Sequence, residues 1–229
     1  MELLEIMQQR HSVRQYTDRA IESEKRAVLD ALTQEINRKA GLSVQIIYDD
    51  PKCFDSFMAH YGKFTGVRNY IALVGKKSPK LEETLGYYGE ELVLTAQELG
   101  LNTCWVALTH GKSKAAVGKD EKQVCLIALG YGVSQGEAHK SKSMKELCTC
   151  TDPMPEWFKS GMNAAMSAPT AMNQQKFRFA LLPDGTVKAT CKKGFYTKLD
   201  LGIVKYHFEV ISGKKTVKFR MIRATADRV

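Results

Sequence analysis

Apolar positions along the chain recur in two patterns, one helical and one strand-like, and their succession predicts an α+β protein. Residues 2–9 and about 21–38 read as helices; in the second, Ile21, Ala27/Val28, Ala31/Leu32 and Ile36 follow a helical period and Gly41 supplies the stop. The strongest helical segment is 81–99, LEETLGYYGEELVLTAQEL, closed by Gly100 as a C-cap. Two more helices are expected at about 155–167 and 199–212. Short runs without helical period read as strands: SVQIIYD (43–49), NYIALVG (69–75), NTCWVAL (102–108), QVCLIALGYG (123–132), 177–182, 186–191 and a last strand KTVKFRMI. The Ser/Lys/Gly-rich stretch 133–145, followed by Pro153 and Pro155, is the expected linker.

The two sides of that linker rhyme. YIALVGKK leads to a helix carrying Gly89 and Gly100, and FRFALLPDG leads to one bracketed by Gly202 and Gly213, with the same spacing in each pair. Aromatic-rich approaches, YYGEELVL and FYTKLDLGIV, accompany both helices. This predicts two related α+β halves, 1–145 and 146–213, packed as a pseudo-dimer with a ligand at their junction and followed by a basic strand or tail, 214–229.

Composition narrows the class. The chain has 229 residues, 44% hydrophobic, enough for one well-buried domain or two small ones, and 26% charged residues do not indicate disorder. No apolar run is long enough to span a membrane and no leader pattern opens the chain, so a cytoplasmic protein without membrane association is expected. The net charge of +9 suits an anionic partner. Lys214, Lys215, Lys218, Arg220, Arg223 and Arg228 crowd the end, but no RNP, helix-turn-helix or zinc-finger pattern supports nucleic-acid binding. Cys53, Cys104, Cys125, Cys148, Cys150 and Cys191 form no CxxC pair and read as reduced thiols; Cys148 and Cys150 lack further ligands, so no metal site is expected.

Three stretches have chemical content. RHSVRQY (10–16) places two guanidinium groups, an imidazole and a hydroxyl where they can hold a phosphate; the alternative is a set of cations at a helix C-terminus, where the dipole favours them. SAPTAMNQQ (167–175) offers hydroxyl and amide groups at a helix-to-strand joint, or is a plain connection. HKSKS (139–143) adds two ammonium groups to an anion site, or is an ordinary surface run. GYGVSQG is not a dinucleotide loop, because its third glycine is displaced and no helix follows. G-x-S-x-G, HExxH and P-loop patterns are absent.

Taken together, RHSVRQY, AQELGLNTCWVA, LIALGYG with HKSKSMKEL, and SAPTAMNQQKF resemble the FMN-dependent nitroreductase family over residues 1–212. Their order is unusual, since the APS-like motif stands some 150 residues after the first motif; this is similar to a branch of nitroreductases in which one chain carries both halves of the usual dimer. The resemblance implies a nitroreductase-like α+β fold, a central, mainly antiparallel sheet flanked by helices, and FMN as cofactor. It implies that Arg10, His11 and Ser12 hold the FMN phosphate and ribityl chain. It sets Arg14 beside the flavin pyrimidine edge, where its charge stabilises the anionic reduced flavin and gives it a catalytic role. Ala107 and Leu108 then present backbone N–H groups toward flavin N5, Lys140 and Lys142 form a late basic pair on the phosphate, and Pro169, Thr170 and Asn173 reach the flavin from the second half. Thr170 replaces the usual serine, Lys176–Phe177 replaces Pro-Trp, and the insert 51–68 has no counterpart.

The implied activity is ping-pong hydride transfer from NAD(P)H through flavin to a small acceptor such as a nitroaromatic or quinone, in a monomeric pseudo-dimer or weak homo-oligomer. A non-catalytic flavin carrier or sensor, and a basic interaction protein without cofactor, are the alternatives.

Overall fold

The computed structural model describes residues 2–150 and 152–217. Helices α1 (Leu3–Gln9) and α2 (Ser23–Ala40) open the chain; α2 ends where Gly41 takes a left-handed φ of 63°. Strands β1 (Gln45–Ile47), β2 (Asn69–Lys76), β3 (Asn102–Val106) and β4 (Glu121–Gly130) form an antiparallel sheet in the order β1-β2-β4-β3. Within it, β2 is buried from Asn69 to Gly75, which explains a strand that reads as an unbroken apolar run.

The two faces of β2 enter different cores. Ile71 and Leu73 pack with Leu29 and Ile36 of α2 and with Leu85 and Leu92 of α4 (Leu81–Glu98). Tyr70, Ala72 and Val74 face Phe54, Phe64 and Val67. The insert 51–68 therefore covers the sheet's second face. It contains a 3₁₀ turn at Pro51–Phe54 and the short helix α3 (Phe57–Tyr61), neither of which the hydrophobic pattern predicts.

After α5 (Met144–Leu147), a second sheet takes the order β5-β6-β7-β8, from β5 (Cys148–Thr149), β6 (Phe177–Leu181), β7 (Val187–Cys191) and β8 (Thr216–Val217). The strands are thus divided between two sheets, the first antiparallel and the second mixed, with β5–β6 and β7–β8 parallel. Most of the expected last strand lies outside the described residues, as does most of the 214–229 tail. The expected linker 133–145 runs into α5 at Met144, and β5 follows, so the CTC stretch begins as a strand. Helices α6 (Glu156–Ser167) and α7 (Thr197–Ser212) close this core; Phe179 stacks on Phe208 with ring centres 4.7 Å apart.

The joint between the halves is the crossing of α4 and α7. A Cβ on Gly202 would lie 2.0 Å from Glu83 O, and one on Gly86 would lie 2.1 Å from Leu199 O, so backbone meets backbone there. Gly86 and Gly202 are each the sixth residue of their helix. The crossing thus pairs Gly202 with Gly86 and not with Gly89, which lies under Trp105 and Leu73. Gly100 and Gly213 do share a role, both left-handed at helix ends. Helix α1 lies over the joint, with Ile6 and Met7 packed on Leu94 of α4 and Ala164 of α6.

All six cysteines are free thiols. Among the described residues no group of His, Cys, Asp or Glu side chains is arranged to hold a metal ion, and no helix is long and apolar enough to cross a membrane.

Candidate functional site

RHSVRQY leaves α1 and runs along the edge strand β3. Ser12 bridges Thr103 in parallel, Val13 N donates to Thr103 O at 3.0 Å, and Tyr16 N donates to Thr65 O at 2.9 Å. From its other side, Val133 N donates to Gln15 O at 2.9 Å. Gly136, at φ 73°, comes so close that a Cβ there would lie 2.9 Å from His11 Cβ. The glycine loop GYGVSQG, although no dinucleotide loop, thus packs on the cationic segment.

The second half contributes the turn after α6. Met172, Asn173 and Gln175 all have left-handed φ values of 45–52°, which cost non-glycine residues about 1–3 kcal/mol each. Polar side chains hold them there. Asp200 Oδ1 accepts from Ala171 N at 2.9 Å and its Oδ2 accepts from Gln174 Nε2 at 2.8 Å. Thr170 Oγ1 accepts from Gln175 N, while Asn173 Nδ2 and Gln175 Nε2 both donate to Lys140 O.

These segments meet at two adjoining cavities that share Ser12, Arg14, Pro169, Thr170 and Met172. One, of about 170 Å³, is walled by Trp105, Val106, Ala107, Tyr196, Leu199 and Ile203, with Asp200 at its side. The other, of about 460 Å³, adds Arg10, Gly136, Glu137, His139 and Asn173. Of the residues implied by the resemblance, Arg10, Ser12, Arg14, Ala107, Pro169, Thr170 and Asn173 line this pair of cavities. His11 lines a separate hollow beside Arg10. Leu108 points to solvent, 60% exposed, and is absent from the lining. Lys140 contributes its carbonyl to the turn. Lys142 lines a different cavity, because its Nζ is bound to the carbonyls of Gln174 and Gln175 at 2.9 and 3.2 Å.

Electrostatics single out Arg10. It is only 3% exposed, and its Nε and Nη1 have no hydrogen-bond partner. Burial pushes its basicity down and the carboxylate of Glu90 pulls it back up, yet a guanidinium stays protonated in any protein setting. Burial and the Arg10 charge together push His11 down, and burial does the same for His139. Arg10 and the exposed Arg14 are therefore the permanent cations of the crevice wall. Burial also pushes the Cys104 and Cys125 thiols up, which disfavours a thiolate nucleophile in the smaller cavity.

Sequence reasoning missed Asp200, Glu90 and His207, which stand on amphipathic helices that carry several other charged residues. Asp200 is 4% exposed, and burial pushes its carboxyl from 3.8 up to about 6 against its two hydrogen bonds. A carboxyl raised by folding favours the protonated native state, so its contribution is complete below the unfolded value and is lost as pH rises through about 6. The expected loss between pH about 4 and about 6 is about 2–3 kcal/mol. Asp200→Asn flattens that stretch of the stability curve; urea midpoints measured across this range, unchanged in slope by the substitution, contradict it.

The crevice thus lies between two α+β halves, with cations entering from the N-terminal segment. A structure of a nitroreductase-like protein from Thermotoga maritima superposes with a TM-score of 0.68 at 20% identity, covering 96% of this chain and 90% of that one. A nitroreductase-like protein from Desulfovibrio desulfuricans, solved in complex with FMN, superposes with a TM-score of 0.53 at 18% identity over 68% of this chain and 99% of that one. The family described as "Putative TM nitroreductase" matches residues 2–212, and the chain belongs to it. No curated protein matches the chain.

Proposed function

We propose that the chain is an FMN-dependent oxidoreductase that takes hydride from NAD(P)H and passes it to a small acceptor such as a nitroaromatic or quinone. The observation that carries this reading is the buried Arg10 guanidinium, which lines the polar cavity of a crevice whose other cavity is apolar. A phosphate on a polar chain joined to a flat aromatic ring has that same division. The FMN held by the Desulfovibrio relative supports the choice of ligand.

In this reading Arg10 pairs with the phosphate, and Ser12 and Asn173 face the ribityl chain. Trp105, Leu199 and Ile203 form an apolar wall that excludes water from the ring. Arg14 supplies positive charge where electrons accumulate, which favours the reduced state. Bound FMN supplies the two-electron chemistry, and the side chains bind and orient. Asp200 keeps the Thr170–Gln175 turn in its left-handed course.

The test is spectroscopic. Purified protein incubated with FMN is expected to retain flavin absorbance through gel filtration, and that absorbance is expected to bleach on anaerobic addition of NADH or NADPH. Protein that retains no flavin rules the reading out. Flavin that is retained but not bleached by either nucleotide leaves a flavin carrier and removes the oxidoreductase.

A further inference from the structure

Glu90, fully buried on α4, has three donor groups around it. Its Oε2 accepts from Trp105 Nε1 at 3.0 Å; its Oε1 lies 2.9 Å from His207 Nε2 and 4.0 Å from Arg10 Nε. His207, equally buried on α7, places its other ring nitrogen, Nδ1, 3.0 Å from Ala164 O. Ser167 Oγ, 3.3 Å from Nδ1, donates to that same carbonyl at 2.7 Å. The two ring nitrogens of His207 thus bridge Glu90 of α4 and the Ala164 carbonyl of α6.

The Glu90–His207 contact spans the two halves of the chain and takes up the carboxylate oxygen that faces Arg10. The consequence falls on Arg10. At 4.0 Å its Nε is beyond hydrogen-bond distance of Glu90, and the carboxylate oxygen nearest to it is already engaged by His207. An unengaged carboxylate in so dry a place would draw the guanidinium in and neutralise it.

We propose that His207 is a positioning residue for anion binding: by occupying Glu90 from the far half, it keeps the Arg10 guanidinium available to a phosphate entering the crevice. This rests on the FMN reading, and FMN and riboflavin, which differ by that phosphate, separate the two.

The experiment titrates apo protein with each flavin and follows quenching of flavin fluorescence, for wild type, His207→Leu, which has no donor for Glu90, and the double variant Glu90→Gln/His207→Leu. Wild type is expected to prefer FMN. His207→Leu is expected to cut the FMN-to-riboflavin preference by about tenfold or more, the scale of one charge-assisted hydrogen bond, with riboflavin affinity held within about twofold. The double variant, with no carboxylate to capture Arg10, is expected to recover most of the preference.

A His207→Leu protein that keeps the wild-type preference overturns the inference and leaves the FMN reading standing. One that loses both flavins in equal measure, or a double variant that does not recover, also overturns it, because a purely structural role predicts those outcomes. Wild type that binds neither flavin overturns both.

Discussion

Replacing Arg10 by methionine is expected to weaken FMN binding by about 100-fold and to raise the thermal stability of the apo protein. The first effect follows from donor count. Arg10 lines the polar cavity with a planar fork of donors, and two charge-assisted bonds to phosphate at about 1.5 kcal/mol each give roughly that factor. The second follows from desolvation, since a buried cation whose neighbouring carboxylate is already paired is costly to keep. Methionine fills much of the slot occupied by the arginine stem and leaves the Glu90–His207 pair intact. Affinity and apo stability therefore move in opposite directions, which few substitutions at a binding site do. Flavin titration and a thermal melt on one protein sample check both; unchanged FMN affinity removes Arg10 from the site.

A comparable effect is expected at the helix crossing. Gly202→Ala puts a methyl group 2.0 Å from Glu83 O and 2.6 Å from Tyr87 N, and neither backbone atom can swing aside as a side-chain tip would. Alanine's helix propensity favours the substitution by about 1 kcal/mol, but a contact more than an ångström too short forces the helices apart. A net loss of about 3 kcal/mol is expected, the upper part of the usual range for overpacking. Gly202→Leu is expected to abolish cooperative unfolding altogether. Gly213→Asn is the control: its φ of 67° suits asparagine, nothing lies within 4 Å of a Cβ there, and the change is expected to cost only tenths of a kcal/mol. Urea midpoints for the three proteins decide; Gly202→Ala at wild-type stability contradicts the crossing geometry.

These residues also show how far the sequence is legible. Strands β2 and β4 read correctly because burial on both faces makes them continuous apolar runs, and α4 because its apolar positions follow the helical period. Helix α3 does not read, since five residues cannot display a period and the segment is set by the sheet face that Phe54 and Phe64 cover. The spacing match sets Gly202 against Gly89, whereas the crossing sets it against Gly86, for a related reason: Gly86 and Gly89 lie on nearly one face of α4, and only the approach of α7 distinguishes them.

At the site, RHSVRQY and the Thr170 turn are visible as clusters of polar types in short spans. Glu90, Asp200 and His207 sit on helices that carry other polar residues, Glu91, Lys198 and Lys205 among them, and no local pattern marks the three as buried. Their burial comes from the packing of α4 against α7, a contact between residues more than a hundred positions apart.

That contact lies within a single polypeptide. Both walls of the crevice are tied together covalently, so diluting the protein does not take them apart, and flavin occupancy should depend on free flavin and not on protein concentration. Each wall also mutates alone: a substitution in α4 is not copied into α7, as it would be across the axis of two identical subunits, and one helix is free to specialise while the other conserves the fit.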